Sequence, residues 1–326
     1  MGGNAMAPFG ARRFERAEYI ILAQEVLGKL QGIDGHYGWV EIPSYSSKDS
    51  FGDLDVLCTN VNNETFREIL WVFDTPPSVR NSEVLSLVFK ELQVDIISTL
   101  PEEYHTSLSY FSYNDLGNLI GKIYHKFGLK YGHGGLLLPI RDGDNKFAEV
   151  VISRNMDKIF GFIGLDYGRF LKGFVNLQDV FDFVIRSPYF SPELFSFENM
   201  NSIARIRDRK RATYNAFLKY IDGISSDYKV EFDKDKSVYL DKIFTYFPEA
   251  WAEYCSVIKD YEKLQERKAK FNGDLVREWT GLGGKELGEF MRWIRDYYAI
   301  EVIIETSKDN DFIRRYVLDA MTAWPK

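Results

Sequence analysis

The sequence predicts a mixed α/β domain over residues 1–153, followed by an α-helical body over 154–248 and a helical tail over 249–326. Three observations carry this. Residues 13–31 repeat apolar side chains at helical spacing: Phe14, Ala17, Ile20, Ile21, Ala23, Val26, Leu27 and Leu30. Leu54–Cys58 reads as a strand, as does Val94–Ser98, which is bounded by polar residues and rich in β-branched ones. From Met156 onward helical spacing dominates, with Gly, Pro and Ser clusters such as Ser187-Pro188 and Gly223–Ser226 as breaks.

In chain order, Trp39–Ile42 predicts a short strand, and Leu85–Leu92 an apolar run before the better strand Val94–Ser98. Asp115–Phe127 has helical spacing. Gly135–Ile140 and Phe147–Ile152 flank Arg141-Asp142-Gly143-Asp144-Asn145, a hairpin turn signal. Helices are then expected over Ile159–Ile163, Leu177–Ile185, Ala212–Ile221, Leu240–Phe247 and Ala252–Ala269. The opening Met1–Ala7 is small and featureless.

The composition is that of a folded protein, with 45% hydrophobic and 27% charged residues. Cys58 and Cys255 are the only cysteines, which excludes a disulfide framework and suits a cytoplasmic location. No apolar stretch reaches the roughly 18 residues of a membrane span, so no membrane partner is expected. The net charge of −7 argues against general affinity for nucleic acid but leaves room for a local basic groove. His36, His105, His125 and His133 form no metal-ligand spacing.

The chemical signal is the segment from Pro43 to Leu57, a polar loop leading into a strand that opens Asp53-Leu54-Asp55. Side chains two apart on a strand share a face, so Asp53 and Asp55 can converge on one metal centre. Asp95, a lone acid in an apolar strand, supplies the third carboxylate. Such a set favours Mg²⁺, two ions in all, or Mn²⁺ in its place. Ser44, Ser46 and Lys48 offer hydroxyls and a cation to the phosphates of a nucleoside triphosphate.

These residues resemble the DNA polymerase beta superfamily of nucleotidyltransferases, above all its family X polymerases, in which a Gly-Ser-aromatic loop precedes Gly-Asp-x-Asp. Ser44-Tyr45 and Gly52-Asp53-Leu54-Asp55 carry the match, while Pro43 replaces the usual glycine and the loop is about one residue short. Tyr110-Phe111-Ser112-Tyr113-Asn114-Asp115-Leu116-Gly117-Asn118 resembles a second family block. That resemblance implies a nucleotidyltransferase palm over 1–153, Tyr110 and Phe111 beside the ribose, and Asp115 and Asn118 facing the incoming nucleotide.

Farther on, Arg205, Arg207, Arg209, Lys210 and Arg211 form the densest basic run and are expected to contact nucleic acid, against the alternative of a solvated helix face. Gly273-Asp274-Leu275 before Gly281–Gly288 is similar to a C-terminal element of CCA-adding tRNA nucleotidyltransferases. The resemblance therefore implies transfer of nucleotides to the 3′ end of RNA, tRNA first, with a family X-like DNA polymerase or a small-molecule or protein acceptor as alternatives.

Overall fold

Apolar alternation and turn chemistry give a mixed sheet and a helical remainder in the computed structural model, which describes residues 5–33, 38–224, 230–307 and 309–325. His36 lies outside the described residues. The chain divides into two compact units, Met1–Ala250 and Trp251–Lys326.

The first unit opens with strand β1 (Phe14–Glu15) and helix α1 (Arg16–Gln31). β2 (Val40–Glu41), β3 (Ser50–Phe51) and β4 (Asp53–Thr59) follow, then α2 (Asn63–Val72), capped by the Asn62 side chain. β5 (Ser78–Asn81), β6 (Val84–Phe89) and β7 (Leu92–Thr99) complete a five-stranded sheet of order β2-β4-β7-β6-β5. β4 and β7 run parallel at its centre and the other pairs are antiparallel. The β6–β7 turn is made by Lys90 and Glu91, both left-handed without glycine.

One sheet face is apolar. Leu54, Val56, Cys58, Val94 and Ile96 pack with Tyr19, Leu22, Val26 and Leu30 of α1 and with Phe66 and Ile69 of α2. The stripe on α1 differs from its expected set: Ile20 is 41% and Ile21 67% exposed, whereas Tyr19 and Leu22 are buried. The two isoleucines fit helical spacing, but the sheet surface selects the stripe one residue to either side of them. On the opposite face Leu57 and Ile97 meet Tyr104, Leu108 and Phe111 of α3 (Tyr104–Phe111). The three aspartates lie on this second face.

α4 (Leu116–Lys126) follows α3 at once, and Gly117 permits the approach: a Cβ there would lie 2.2 Å from the Tyr110 carbonyl oxygen. β8 (Lys130–Gly132), β9 (Gly135–Asp142) and β10 (Asn145–Ser153) form an antiparallel sheet, with the hairpin at Gly143-Asp144. Then come α5 (Met156–Phe162), α6 (Tyr167–Leu171), α7 (Leu177–Ile185), α8 (Ser202–Arg209), α9 (Ala212–Ile221) and α10 (Leu240–Tyr246). Their core is dense in aromatic rings, with Tyr113, Phe160, Phe170, Phe174 and Phe183 in mutual edge or tilted contact.

The second unit holds α11 (Trp251–Lys270), α12 (Gly273–Thr280), α13 (Gly284–Tyr297), α14 (Ile300–Thr306) and α15 (Asn310–Ala323) around Val276, Phe290, Ile294, Ile313 and Val317. Here Asn272 caps α12 through the amides of Asp274 and Leu275, and left-handed Gly281 ends it. The Gly-Asp-Leu segment is thus a first helical turn, and Gly281–Gly284 a tight turn between two helices. No helix of the described residues is long and apolar enough to cross a membrane.

Because Gly117 has no room for a side chain, Gly117→Ala is expected to destabilise the first unit by about 2 kcal/mol. Thermal unfolding followed by circular dichroism should show a melting point lower by roughly 4–8 °C.

Candidate metal and nucleotide site

The parallel register pairs Asp55 with Asp95 and Asp53 with Gln93, so four polar side chains share one face of two adjacent strands. One oxygen from each of Asp53, Asp55 and Asp95 lies within 4.8 Å of the others. Asp95 is 1% exposed and is held by Gln93, whose Nε2 donates to Oδ1 at 3.1 Å and to Oδ2 at 3.0 Å. The backbone N–H of Met6 in turn donates to Gln93 Oε1 at 3.1 Å, which fixes the orientation of that amide. The opening segment, featureless as sequence, thus places a buried residue behind the site.

Three carboxylates this close repel one another. Burial, with Asp53 and Asp95 adding to it, pushes the Asp55 carboxyl up to about 8. Burial also raises Asp95, against the hydrogen bonds from Ser86 and Gln93. Asp55 Oδ1 is buried with no hydrogen-bond partner among the described residues. An orphaned carboxyl oxygen beside two more carboxyl groups is a donor set that a hard divalent cation fits, since Mg²⁺ prefers oxygen ligands.

The loop before β4 closes over this face. A cavity of about 80 Å³ is lined by Tyr19, Ser44, Lys48, Asp53, Asp55, Phe111 and Asn114, among others. That is room for roughly five waters or ions rather than a whole nucleotide. Burial lowers the Lys48 ammonium in spite of Asp53 and Asp55, and its Nζ lies 4.5 Å from the Phe51 ring centre. The loop is tied down elsewhere: Ser46 N donates to Phe174 O at 2.8 Å, Ser47 N to Val175 O at 2.7 Å, and Ser46 Oγ to Val175 O at 3.4 Å.

Two arginines join the loop, Arg13 from just before β1 and Arg16 from the start of α1. Arg13 donates from Nε to Ser50 Oγ at 3.1 Å and from Nη2 to Ser50 O at 2.9 Å. A Cβ on Gly52 would lie 3.0 Å from Arg13 Nη1, so glycine leaves space for the guanidinium. Arg16 donates to the carbonyls of Ser46 and Lys48. Lys48 is the loop's only cation in sequence, but three cations meet there in space. Nothing local in the sequence ties Arg13 and Arg16 to a loop more than thirty residues on.

The Tyr110–Asn118 block divides. Phe111 reaches the acidic cavity, and so does Asn114, which sequence reasoning passed over. Tyr113 and Asn114 are both left-handed, with φ of 57° and 62°. That conformation is costly for tyrosine, and it is held by the Tyr113 N–H to Pro43 O bond of 2.7 Å and by packing on Phe170 and Phe174. Tyr110 and Asn118 line a different cavity. Asp115 pairs with Arg211, and Asn118 Oδ1 accepts from Arg207 at 2.8 Å.

The basic run is largely engaged within the fold. Asp208, fully buried, takes Lys122 at 2.6 Å and Arg207 at 2.7 Å, with Arg211 at 3.9 Å. Arg205 donates to Met200 O at 2.9 Å, and Arg209 lies over the Phe197 ring at 5.5 Å. Lys210 is exposed at the end of α8. No protein-family model matches the chain, and no curated protein matches its sequence.

The Asp55 shift sets a pH signature. A carboxyl raised to about 8 holds a proton in the folded state that the unfolded chain has lost above pH about 4. Its contribution to stability is therefore complete below that range and is lost as the pH rises through about 8. In EDTA, Asp55→Asn should flatten this alkaline decline and raise the melting point at pH about 8. Manganese or magnesium should stabilise the unsubstituted protein and leave Asp55→Asn unmoved; differential scanning fluorimetry reads both.

Proposed function

We propose that the chain is a divalent-metal-dependent nucleotidyltransferase, with Asp53, Asp55 and Asp95 as the metal ligands of a palm-like domain. The observation that carries the reading is the carboxylate trio on two parallel strands, one of its oxygens buried without a partner, beneath a loop bearing three cations. Bound there, Mg²⁺ or Mn²⁺ would supply activation of the attacking hydroxyl and neutralisation of the charge on the leaving pyrophosphate.

The residues of the chain divide the remaining work. The acceptor hydroxyl oxygen bonds to the α-phosphorus, the bond from that phosphorus to the bridging oxygen breaks, and pyrophosphate leaves. Asp95, held on the same sheet face by the Gln93 amide, is the acceptor for the hydroxyl proton. Lys48 orients phosphate oxygens, with Ser44 as a hydroxyl donor in the same cavity, and Arg13 reaches them from its place on Ser50 at the end of the loop. Arg16 acts through the carbonyls it holds, keeping the loop closed. Phe111 supplies an apolar wall, and Asn114 a polar group of the same cavity.

The acceptor in this reading is a nucleic acid 3′ end, with tRNA tested first because of the Gly273–Gly288 resemblance. A small-molecule acceptor is favoured by one observation. A cavity of about 590 Å³ on the same sheet face is lined by Val84, Ile97, Thr99, Ser107 and His133, and it shares Phe111 with the acidic cavity.

The test is incorporation of each labelled NTP and dNTP with Mg²⁺, offering tRNA lacking its 3′ CCA beside a primed DNA duplex. Untemplated addition to tRNA supports end-repair chemistry, and templated dNTP addition the polymerase branch. NTP turnover without either points to a small acceptor. Asp53→Asn should abolish every transfer while the protein stays folded, and full activity in that variant would remove the metal assignment. Arg13→Ala should raise KM for the triphosphate about tenfold with a smaller effect on kcat, the loss of one charged hydrogen bond.

A further inference from the structure

A second polar cavity lies between α4, β8 and α8. Its volume is about 270 Å³, and its walls include Tyr110, Asn118, Lys122, Lys126, Lys130 and Arg207. Among the described residues no carboxylate lines it. Such a concentration of cations is unexpected in a chain of net charge −7.

The cations are arranged by the backbone. Asn118, Lys122 and Lys126 stand four residues apart on α4, which puts them on one helical face. Lys130 extends the row at the start of β8, and Arg207 enters from α8. Asp208 anchors Lys122 and Arg207 from behind, itself fully buried, and Glu149 pairs with Lys130 at 3.2 Å. Three of the four cations thus share two carboxylates, which also serve Arg211 and Lys146. Lys126 has no acidic partner among the described residues. Positive charge is left over, and it faces the cavity.

A pair of carboxylates holding cations in place without neutralising them is the electrostatic arrangement of an anion site. Burial lowers the Lys122 ammonium against the pull of Asp208, with smaller contributions from Arg207 and Arg211. The size of the cavity falls just below that of sites for drug-sized ligands, which suits a phosphate group with its sugar. Gly121 keeps the space open: a Cβ there would meet only Tyr131 O, at 3.9 Å.

We infer that this cavity binds a phosphate group, and that in the working protein the phosphate belongs to a nucleic acid strand. The neighbouring residues Tyr110 and Phe111 wall this cavity and the acidic one respectively, and the assignment of the phosphate to a strand rests on the nucleic-acid acceptor proposed above. Binding at this site needs neither a metal ion nor turnover, so its test is separable from the nucleotidyltransferase reading.

The experiment is fluorescence anisotropy of a labelled single-stranded RNA of twelve nucleotides, titrated with full-length protein in EDTA. Unlabelled oligonucleotide, mononucleotide and inorganic phosphate serve as competitors. Lys126→Glu should weaken binding at least tenfold and reduce the dependence on log salt by about one to two units. Gly121→Leu fills the cavity without removing a charge and should weaken binding by a similar factor, while Lys259→Glu on α11 should leave it unchanged. Melting points control for folding. Competition by oligonucleotide far below the concentration needed for mononucleotide or phosphate assigns the site to a strand. Equal competition per phosphate overturns that part and leaves a free nucleotide as the ligand. Unchanged affinity in both Lys126→Glu and Gly121→Leu, or no binding of any of the three, overturns the proposal.

Discussion

Everything at the acidic site follows from the register of β4 on β7. Parallel pairing sets Asp55 directly opposite Asp95, and the two-residue repeat of a strand adds Asp53 to the same face. The opposite face of the same two strands carries the core against α1 and α2. A slip of one residue would bury the acids in that core and expose its leucines and valines. The hydrophobic effect therefore holds mutually repelling carboxylates together: the burial of Leu54, Val56, Val94 and Ile96 leaves the acids no other place.

The electrostatic cost of that arrangement appears as protonation. Asp55 and Asp95 are both raised, and the first has an oxygen without a partner. A carboxylate cluster serving only structure would be expected to recruit arginine or lysine into direct pairs, as Asp208 does on α8 with Lys122 and Arg207. The two sites make a useful contrast within one chain. One acid is surrounded by cations and held below its usual range; the others are buried, with acids beside them, and held above it.

Much of this was legible in the sequence, and the reasons are local. Asp53-Leu54-Asp55 and Asp95 stood out because strand periodicity converts spacing directly into facing. The hairpin at Gly143-Asp144 and the helices after Met156 were likewise set by turn residues and apolar spacing. What could not be read depends on contacts distant along the chain. Arg13 and Arg16 reach the loop only because β1 pairs with β3, Phe14 against Phe51. The basic run looked like a nucleic-acid track because its acids, Asp115 and Asp208, are supplied partly by α4 and partly from within the run. Lys122, Lys126 and Lys130 escaped notice, each being an ordinary helix or strand lysine until α8 closes the cavity above them. Ile20 and Ile21 show the converse: they fit helical spacing, yet the stripe of α1 that packs on the sheet runs Tyr19, Leu22, Ala23, Val26 and Leu30.

The Met6–Gln93–Asp95 relay has a practical side. The polypeptide leading into β1 is part of the second layer behind a carboxylate, joined to it through a single glutamine amide. Trimming the chain ahead of Ala11, or splicing a rigid fusion partner close to Met6, would free that amide to rotate and present its oxygen to Asp95. Recombinant forms of the protein that differ only in their leading residues are therefore different reagents as far as the acidic site is concerned.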